Sequence, residues 1–371
     1  MIDVLYDHQI FCLQRTGGVS RYYSRLLKEF ATMEDVRTTL SLVVNRNLHL
    51  SEVRGKKGIL DRLHMPCIKG EWLLWGTLSR SATSGRLRSA RYSVFHPTYY
   101  DPYWISQVNG RPVVLTVYDL IMQRHPECFD SSARLVEIEN MRRSLTAASR
   151  IICVSETTRR DLIDLHESVR NKIDVIHLGP PPMRGCSGVG RLRLPGRYLL
   201  YVGTRHAYKR FRFFAEAISP VLKRRDCFLV CTGKPFTSEE KRFLVGLGIA
   251  DRCMAMTLDD SDLMACYQRA LCFCFPSLYE GFGLPILEAF SAQCPVALSN
   301  ASCFPEVAAD AALYFDPASA EDIADTVDRL VCDRDLAKRL VVAGKRRLQA
   351  FSTRATATRT LSVYRRAIDE A

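Results

Sequence analysis

The stretch LCFCFPSLYEGFGLPILEA, residues 271–289, decides how the rest of the chain is read. Its apolar opening, Leu271–Phe275, has the length and composition of a buried strand. The run passes into a loop holding Gly281 and Gly283, residue types that let a backbone come close to a ligand. Pro285 then suits the first turn of a helix, where a missing N–H leaves no hydrogen bond unmade. The start of that helix offers free N–H groups and the positive end of its dipole, which suits a phosphate or a developing anion. Glu280 lies in the loop before the helix and Glu288 about one turn inside it. Both carboxylates can therefore face one ligand and accept hydrogen bonds from its hydroxyl groups.

The same alternation of apolar run and helical stretch extends in both directions. In the first half, strands are expected at Ile2–Tyr6, Thr39–Val44, Ser93–His96, Val113–Val117, Ile151–Val154 and Ile173–Ile176, with helices such as Arg21–Ala31 and Arg134–Ala147 between them. In the second half they are expected at Tyr198–Val202, Phe228–Cys231, Leu271–Phe275, Val296–Ser299 and Ala312–Phe315. Alternating β and α elements imply parallel sheets with helices on both faces. Gly179-Pro180-Pro181-Pro182-Met183-Arg184-Gly185 continues neither a helix nor a central strand. It marks a boundary between an N-terminal domain at 1–180 and a C-terminal domain at 185–350, with 351–371 left as a final helix. The 371 residues fit two domains on length alone.

The composition, 47% hydrophobic and 25% charged, is that of a globular protein with full cores. The net charge of +12 favours phosphorylated ligands or anionic surfaces. Neither zinc-finger spacing nor an aromatic RNA-binding strand is evident, so nucleic acid is not expected. The 14 cysteines form no C-x-x-C pair, and Cys272 and Cys274 lie in an apolar run. They read as buried thiols of a reducing compartment. No signal-peptide pattern opens the sequence and no apolar run reaches membrane-span length, which points to a cytoplasmic location. Ser51–Arg91 reads as irregular. It sets Trp72-Leu73-Leu74-Trp75 among Arg54, Lys56, Lys57, Arg62, Lys69, Arg80, Arg86, Arg88 and Arg91. This mixture suggests peripheral contact with the inner membrane face, against the plainer reading of a core helix with a solvated flank.

The string from Glu280 to Glu288 resembles the E-x7-E motif of the retaining glycosyltransferases of family 4, which have the GT-B fold. That resemblance implies an α/β protein of two Rossmann-like parallel-sheet domains facing each other across a cleft. It also implies that Glu288 holds the ribose hydroxyls of a nucleotide-sugar, that Glu280 lies against the donor sugar, and that Gly281, Phe282, Gly283 and Leu284 line the donor site. Tyr201-Val202-Gly203-Thr204-Arg205-His206-Ala207-Tyr208-Lys209-Arg210 is similar to the family's diphosphate-binding loop, with Arg205 and Lys209 as its cations. Two such cations stabilise a departing diphosphate without metal. Thr16-Gly17-Gly18-Val19 resembles the family's glycine loop, implying that Gly17 and Gly18 approach the donor phosphates.

His96 and Asp119 follow N-domain strands where the family places groups close to the reacting carbon. Tyr118 departs from the family, standing where many relatives have histidine. Val154-Ser155-Glu156-Thr157-Thr158 also fits the pattern, with Ser155 as a helix cap. The last helix resembles one that returns to the N-domain, with Thr353 in place of the usual Trp. Asp260/Asp262 and Asp333/Asp335 precede helical stretches and read as caps, so no metal is expected.

The loops look nearest to bacterial polysaccharide mannosyl- and rhamnosyltransferases. The implied reaction is hexose transfer from a GDP-sugar, GDP-mannose first, to a glycan or lipid-linked acceptor, with no cofactor beyond the nucleotide-sugar. The alternatives are a sugar-nucleotide epimerase, a phosphorylase, or a non-catalytic partner subunit of the same fold.

Overall fold

The computed structural model describes residues 1–50, 53, 71–180, 192–205 and 207–371. They form two units, Met1–Gly179 with Ser352–Ala371, and Pro180–Phe351. Residues 181–185 of the expected boundary lie outside the described residues, as do Arg54, Lys56, Lys57, Arg62, Lys69 and the side chain of Trp72.

The first unit holds two parallel three-stranded sheets. One has the order β2-β1-β3, from β1 (Ile2–Tyr6), β2 (Val36–Leu40) and β3 (Val94–His96). The other has the order β4-β5-β6, from β4 (Val114–Val117), β5 (Arg150–Cys153) and β6 (Ile173–Val175). A parallel bridge between Phe95 and Val113 joins them, and Phe95 N–H donates to Pro112 O at 3.0 Å. Helix Gly18–Phe30 buries Tyr22, Tyr23, Leu26, Leu27 and Phe30, the repeat of one helical face.

The final helix, Thr353–Asp369, packs on Gly18–Phe30 and buries Leu361 and Tyr364. Tyr364 and Tyr6 share a hydrogen bond at 2.6 Å between hydroxyls. Gly179 is required where the chain passes Ser352–Thr353, since a Cβ there would lie 2.2 Å from the Thr353 nitrogen.

Three expectations need correction. The second strand is Val36–Leu40, not Thr39–Val44: Val43 and Val44 leave the sheet to pack on Trp75. Ser51–Arg91 is not irregular throughout, because Glu71–Ser89 is a helix. Its interior carries small polar residues whose partners are distant. Ser79 Oγ accepts from Val43 N–H at 3.0 Å, and Thr83 Oγ1 pairs with His8 Nδ1 at 3.2 Å. Trp75 of this helix is buried, while Leu74 and Leu78 are exposed.

The second unit is one parallel sheet of order β12-β11-β10-β7-β8-β9. Its strands are β7 (Tyr198–Tyr201), β8 (Phe228–Thr232), β9 (Cys253–Met256), β10 (Cys272–Phe275), β11 (Val296–Ser299) and β12 (Leu313–Phe315). The third correction is β9, a half-buried edge strand absent from the sequence reading; its Cys-Met-Ala-Met lacks β-branched and aromatic residues. The chain starts at β7, builds outward to β9, returns to β10 beside β7 and builds the other way. This order is that of the doubly wound nucleotide-binding folds. Helices Phe211–Arg224 and Ala320–Cys332 cover one face, burying Phe214, Ile218, Val221, Ile323 and Val327 with the sheet's Leu199, Leu229 and Cys274. The cysteines among the described residues are free thiols, and burial pushes those at 231, 274, 294 and 303 well up from the usual thiol range.

Candidate active site

The strand order of the second unit reverses between β7 and β10. Ligands of open parallel sheets bind beyond the carboxyl ends of strands at such a point. The loops leaving those two strands carry Gly203, Arg205 and Lys209 on one side and Glu280–Gly283 on the other. They are tied together by Leu278 N–H, which donates to Tyr208 O at 2.9 Å.

Lys209 Nζ donates to Glu280 Oε1 at 2.5 Å, with both side chains mostly withdrawn from solvent. The ammonium also lies 5.2 Å from the Phe275 ring centre and 5.4 Å from that of Tyr208. Glu280 is fixed through its backbone: its N–H donates to Ser302 Oγ at 3.2 Å, and its carbonyl accepts from Ser302 Oγ at 2.6 Å and Cys303 Sγ at 3.1 Å.

Arg205 is only 8% exposed. Its Nε donates to Glu240 Oε1 at 2.6 Å, and its Nη2 to Glu240 Oε2 at 3.2 Å and the Lys234 carbonyl at 2.9 Å. The guanidinium lies 4.9 Å from the Phe236 ring centre. Beside it are Gly203 and Gly233, at φ of +130° and +116°, backbone that favours glycine. An added Cβ at Gly203 would face Lys209 Nζ at 3.7 Å, and one at Gly233 would face Arg205 Nη1 at 4.0 Å.

Helix Leu284–Ser291 begins at Gly283, which is left-handed at φ +85°. No side chain caps it, and Pro285 is in the first turn. Glu288 is 6% exposed, and its Oε2 accepts from Tyr267 O–H at 3.2 Å. Phe282 is buried edge-on against Phe351 at 5.9 Å, so its ring supports the loop, while Leu284 is half-buried. The structure thus gathers Arg205, Lys209, Glu280, the glycine loop and Glu288 around one switch point.

In the first unit, β1 ends on a buried carboxylate that the sequence reading missed. Asp7 Oδ1 accepts from Thr98 N–H at 2.8 Å and Thr98 Oγ1 at 2.6 Å. Its Oδ2 accepts from Gln9 Nε2 at 2.7 Å and Tyr103 O–H at 3.1 Å. Asp7 thereby ties the loop after β1 to the loop after β3. The former leads to Gly17 and Gly18 at the start of helix Gly18–Phe30. A Cβ on Gly17 would meet Gln14 Oε1 at 2.2 Å, whereas Gly18 has nothing within 4 Å of such a position.

His96 lies inside the first unit. It is fully buried, with Nδ1 at 2.6 Å from Tyr364 Oη and Nε2 at 2.9 Å from Thr116 Oγ1. Burial lowers its pKa to about 3, which keeps the imidazole neutral. Both ring nitrogens thus have partners within the first unit. Tyr118 is also buried, edge-on to Tyr22 and Tyr23. Asp119 is half-buried at the end of β4 and accepts from Ile121 N–H at 3.1 Å. Ser155 caps its helix through Thr158 N–H at 3.0 Å. Of the paired aspartates, Asp333 caps a helix, whereas Asp260 and Asp262 lie in the first turn of a helix capped by Asp259.

The model of glycosyltransferase family 4 matches residues 16–182, and that of the glycosyl transferases group 1 matches residues 190–347. The two parallel-sheet units have the GT-B fold of solved glycosyltransferase neighbours. This chain belongs to the family 4 glycosyltransferases. An O-antigen chain mannosyltransferase B of Escherichia coli is 28% identical over 294 residues, covering 75% of this chain and 76% of that protein. The MMP alpha-(1->4)-mannosyltransferase of Mycolicibacterium hassiacum is 28% identical over 238 residues, 62% of this chain and 57% of that protein. Among solved structures, a sucrose-phosphate synthase from Thermosynechococcus elongatus superposes with a TM-score of 0.75 at 18% identity, covering 100% of this chain and 99% of that one. Anabaena HepE, in complex with UDP and glucose, gives a TM-score of 0.70 at 15% identity, over 98% of this chain and 99% of its own.

Proposed function

We propose that this protein is a retaining, metal-independent hexosyltransferase of cell-surface polysaccharide biosynthesis, using GDP-mannose as donor. The observation that carries the reading is the Lys209–Glu280 pair at 2.5 Å, set beside Arg205 at the β7/β10 switch point. Two cations beside bare glycine backbone suit a nucleoside diphosphate. As the bond from the anomeric carbon to the diphosphate breaks, negative charge gathers on the leaving oxygen, and Arg205 and Lys209 stabilise it. Glu288 accepts hydrogen bonds from the ribose hydroxyls. Glu280 holds Lys209 in place and lies against the transferred sugar. A leaving-group oxygen then takes the acceptor's proton as the acceptor attacks the same face, and the configuration is retained. Asp119 orients the sugar. The relatives named as mannosyltransferases support mannose, and through it a GDP-linked donor.

The acceptor in this reading is a glycan or lipid-linked sugar, met at the cytoplasmic face of the inner membrane. Among the described residues no helix is long and apolar enough to cross a membrane. Helix Glu71–Ser89 leaves Leu74 and Leu78 exposed on a strongly basic protein, which supports peripheral contact. The test of the function is turnover of GDP-mannose by purified protein, with NMR of the product's anomeric configuration. A product matching the donor's configuration is expected. An inverted product refutes the mechanism.

A further inference from the structure

Glu240 lies outside every motif that carries the family resemblance, on helix Ser238–Gly246 after β8, yet it is the carboxylate paired with Arg205. The contact has two points. Nε meets Oε1 at 2.6 Å and Nη2 meets Oε2 at 3.2 Å, a fork-to-fork geometry that fixes the guanidinium plane as well as its position. Glu240 is itself anchored from behind by a capping box. Thr237 N–H donates to its Oε2 at 2.8 Å, and its own N–H donates to Thr237 Oγ1 at 3.1 Å. Phe236 and Phe211 flank the guanidinium, and the Lys234 and Pro235 carbonyls accept from Nη2. Nε and Nη2 are thus fully engaged. Nη1 takes part in no hydrogen bond among the described residues, and it is the nitrogen nearest the open side of Gly233.

We propose that Glu240 is a positioning residue that clamps Arg205 through Nε and Nη2, so that Nη1 is presented to the diphosphate of the donor. The inference rests on the reading of Arg205 as a diphosphate ligand. Without the clamp, the guanidinium keeps its carbonyl contacts and its aromatic neighbours but loses the bond at Nε that sets its rotation. A donor aimed in advance binds and stabilises charge better than one that must be ordered on binding. Burial opposes the charged form of Glu240, but the Arg205 N–H groups and the Thr237 backbone overcome it and hold the carboxyl below its usual range. The clamp is therefore an ion pair at neutral pH.

The test is a double-mutant cycle read by calorimetric titration with GDP and with guanosine, and in parallel with UDP and uridine. Glu240→Gln keeps an oxygen that can accept from Thr237 N–H, so the helix start is preserved. In the wild-type background we expect Glu240→Gln to weaken diphosphate binding about tenfold and to leave nucleoside binding unchanged. In an Arg205→Ala background the same substitution should have no further effect. A purely structural role for Glu240 would instead weaken nucleoside and diphosphate alike, or persist in the Arg205→Ala background, and either result overturns the proposal. Tighter diphosphate binding by Glu240→Gln also overturns it, since the carboxylate would then be holding Arg205 back. If Arg205→Ala itself loses no more affinity for the diphosphate than for the nucleoside, the reading of Arg205 fails first and separately.

Discussion

Replacing His96 with glutamine tests the buried polar core of the first unit through pH. Burial holds the imidazole pKa near 3, against an ordinary 6.5. Between those values the unfolded chain binds a proton that the folded chain does not, so stability falls as pH falls through that window. Integrating the difference from pH 7 to pH 5 gives a loss of about 2 kcal/mol from this one side chain. Glutamine is neutral throughout and removes the effect, whatever its own cost in packing. All three tryptophans, Trp72, Trp75 and Trp104, belong to the first unit, so their fluorescence during urea unfolding reports that unit alone. The wild type should lose about 2 kcal/mol more than His96→Gln between the two pH values. His8, whose pKa is also lowered by burial, adds a loss common to both proteins. An equal loss in wild type and variant would refute the account of His96 as a neutral, enclosed group.

Five further outcomes are expected. Gly283→Ala should destabilise the second unit by about 1–3 kcal/mol in urea unfolding, because φ is +85° and the new Cβ would lie 3.0 Å from Ile286 and 3.2 Å from Phe304. Glu288→Ala should weaken GDP binding about tenfold in calorimetry, as a charged hydrogen-bond partner is lost, and unchanged affinity would contradict its ribose role. Glu280→Ala should lower kcat about a hundredfold with a smaller change in GDP affinity, the pattern of an interaction strongest in the transition state. Turnover should survive EDTA, and flotation with liposomes should rise with anionic lipid content; a chelator-sensitive rate restored by Mn²⁺, or flotation indifferent to charge, would count against these two readings.

What the sequence disclosed follows from how local each signal is. The β10 strand and the Gly281–Pro285 turn are written in adjacent residues, and the structure reproduces strand, loop and helix start within a residue or so. The strand β9 was not legible because edge position and neighbours, rather than propensity, hold Cys253–Met256 in the sheet. Helix Glu71–Ser89 was obscured because Gly76, Ser79, Thr83 and Gly85 interrupt its apolar repeat, and its support comes from Val43 and His8. The place of His96 depends on Tyr364, 268 residues away, and no local pattern carries that information. The clamp on Arg205 is of the same kind: the Thr237–Glu240 capping box can be read from four residues, but its meeting with Arg205 cannot.

The membership of Ser352–Ala371 in the first unit has a consequence for biosynthesis. A ribosome finishes all of Pro180–Phe351 before it supplies the helix that carries Tyr364. The second unit, continuous in the chain, can close while synthesis is still under way. The first must wait with Tyr6 and His96 lacking the Tyr364 hydroxyl and ring that meet them. A stop codon shortly after Phe351 would therefore do its damage at the opposite end of the sequence. The nascent Met1–Gly179 segment would remain the client of chaperones until Ser352–Ala371 emerges.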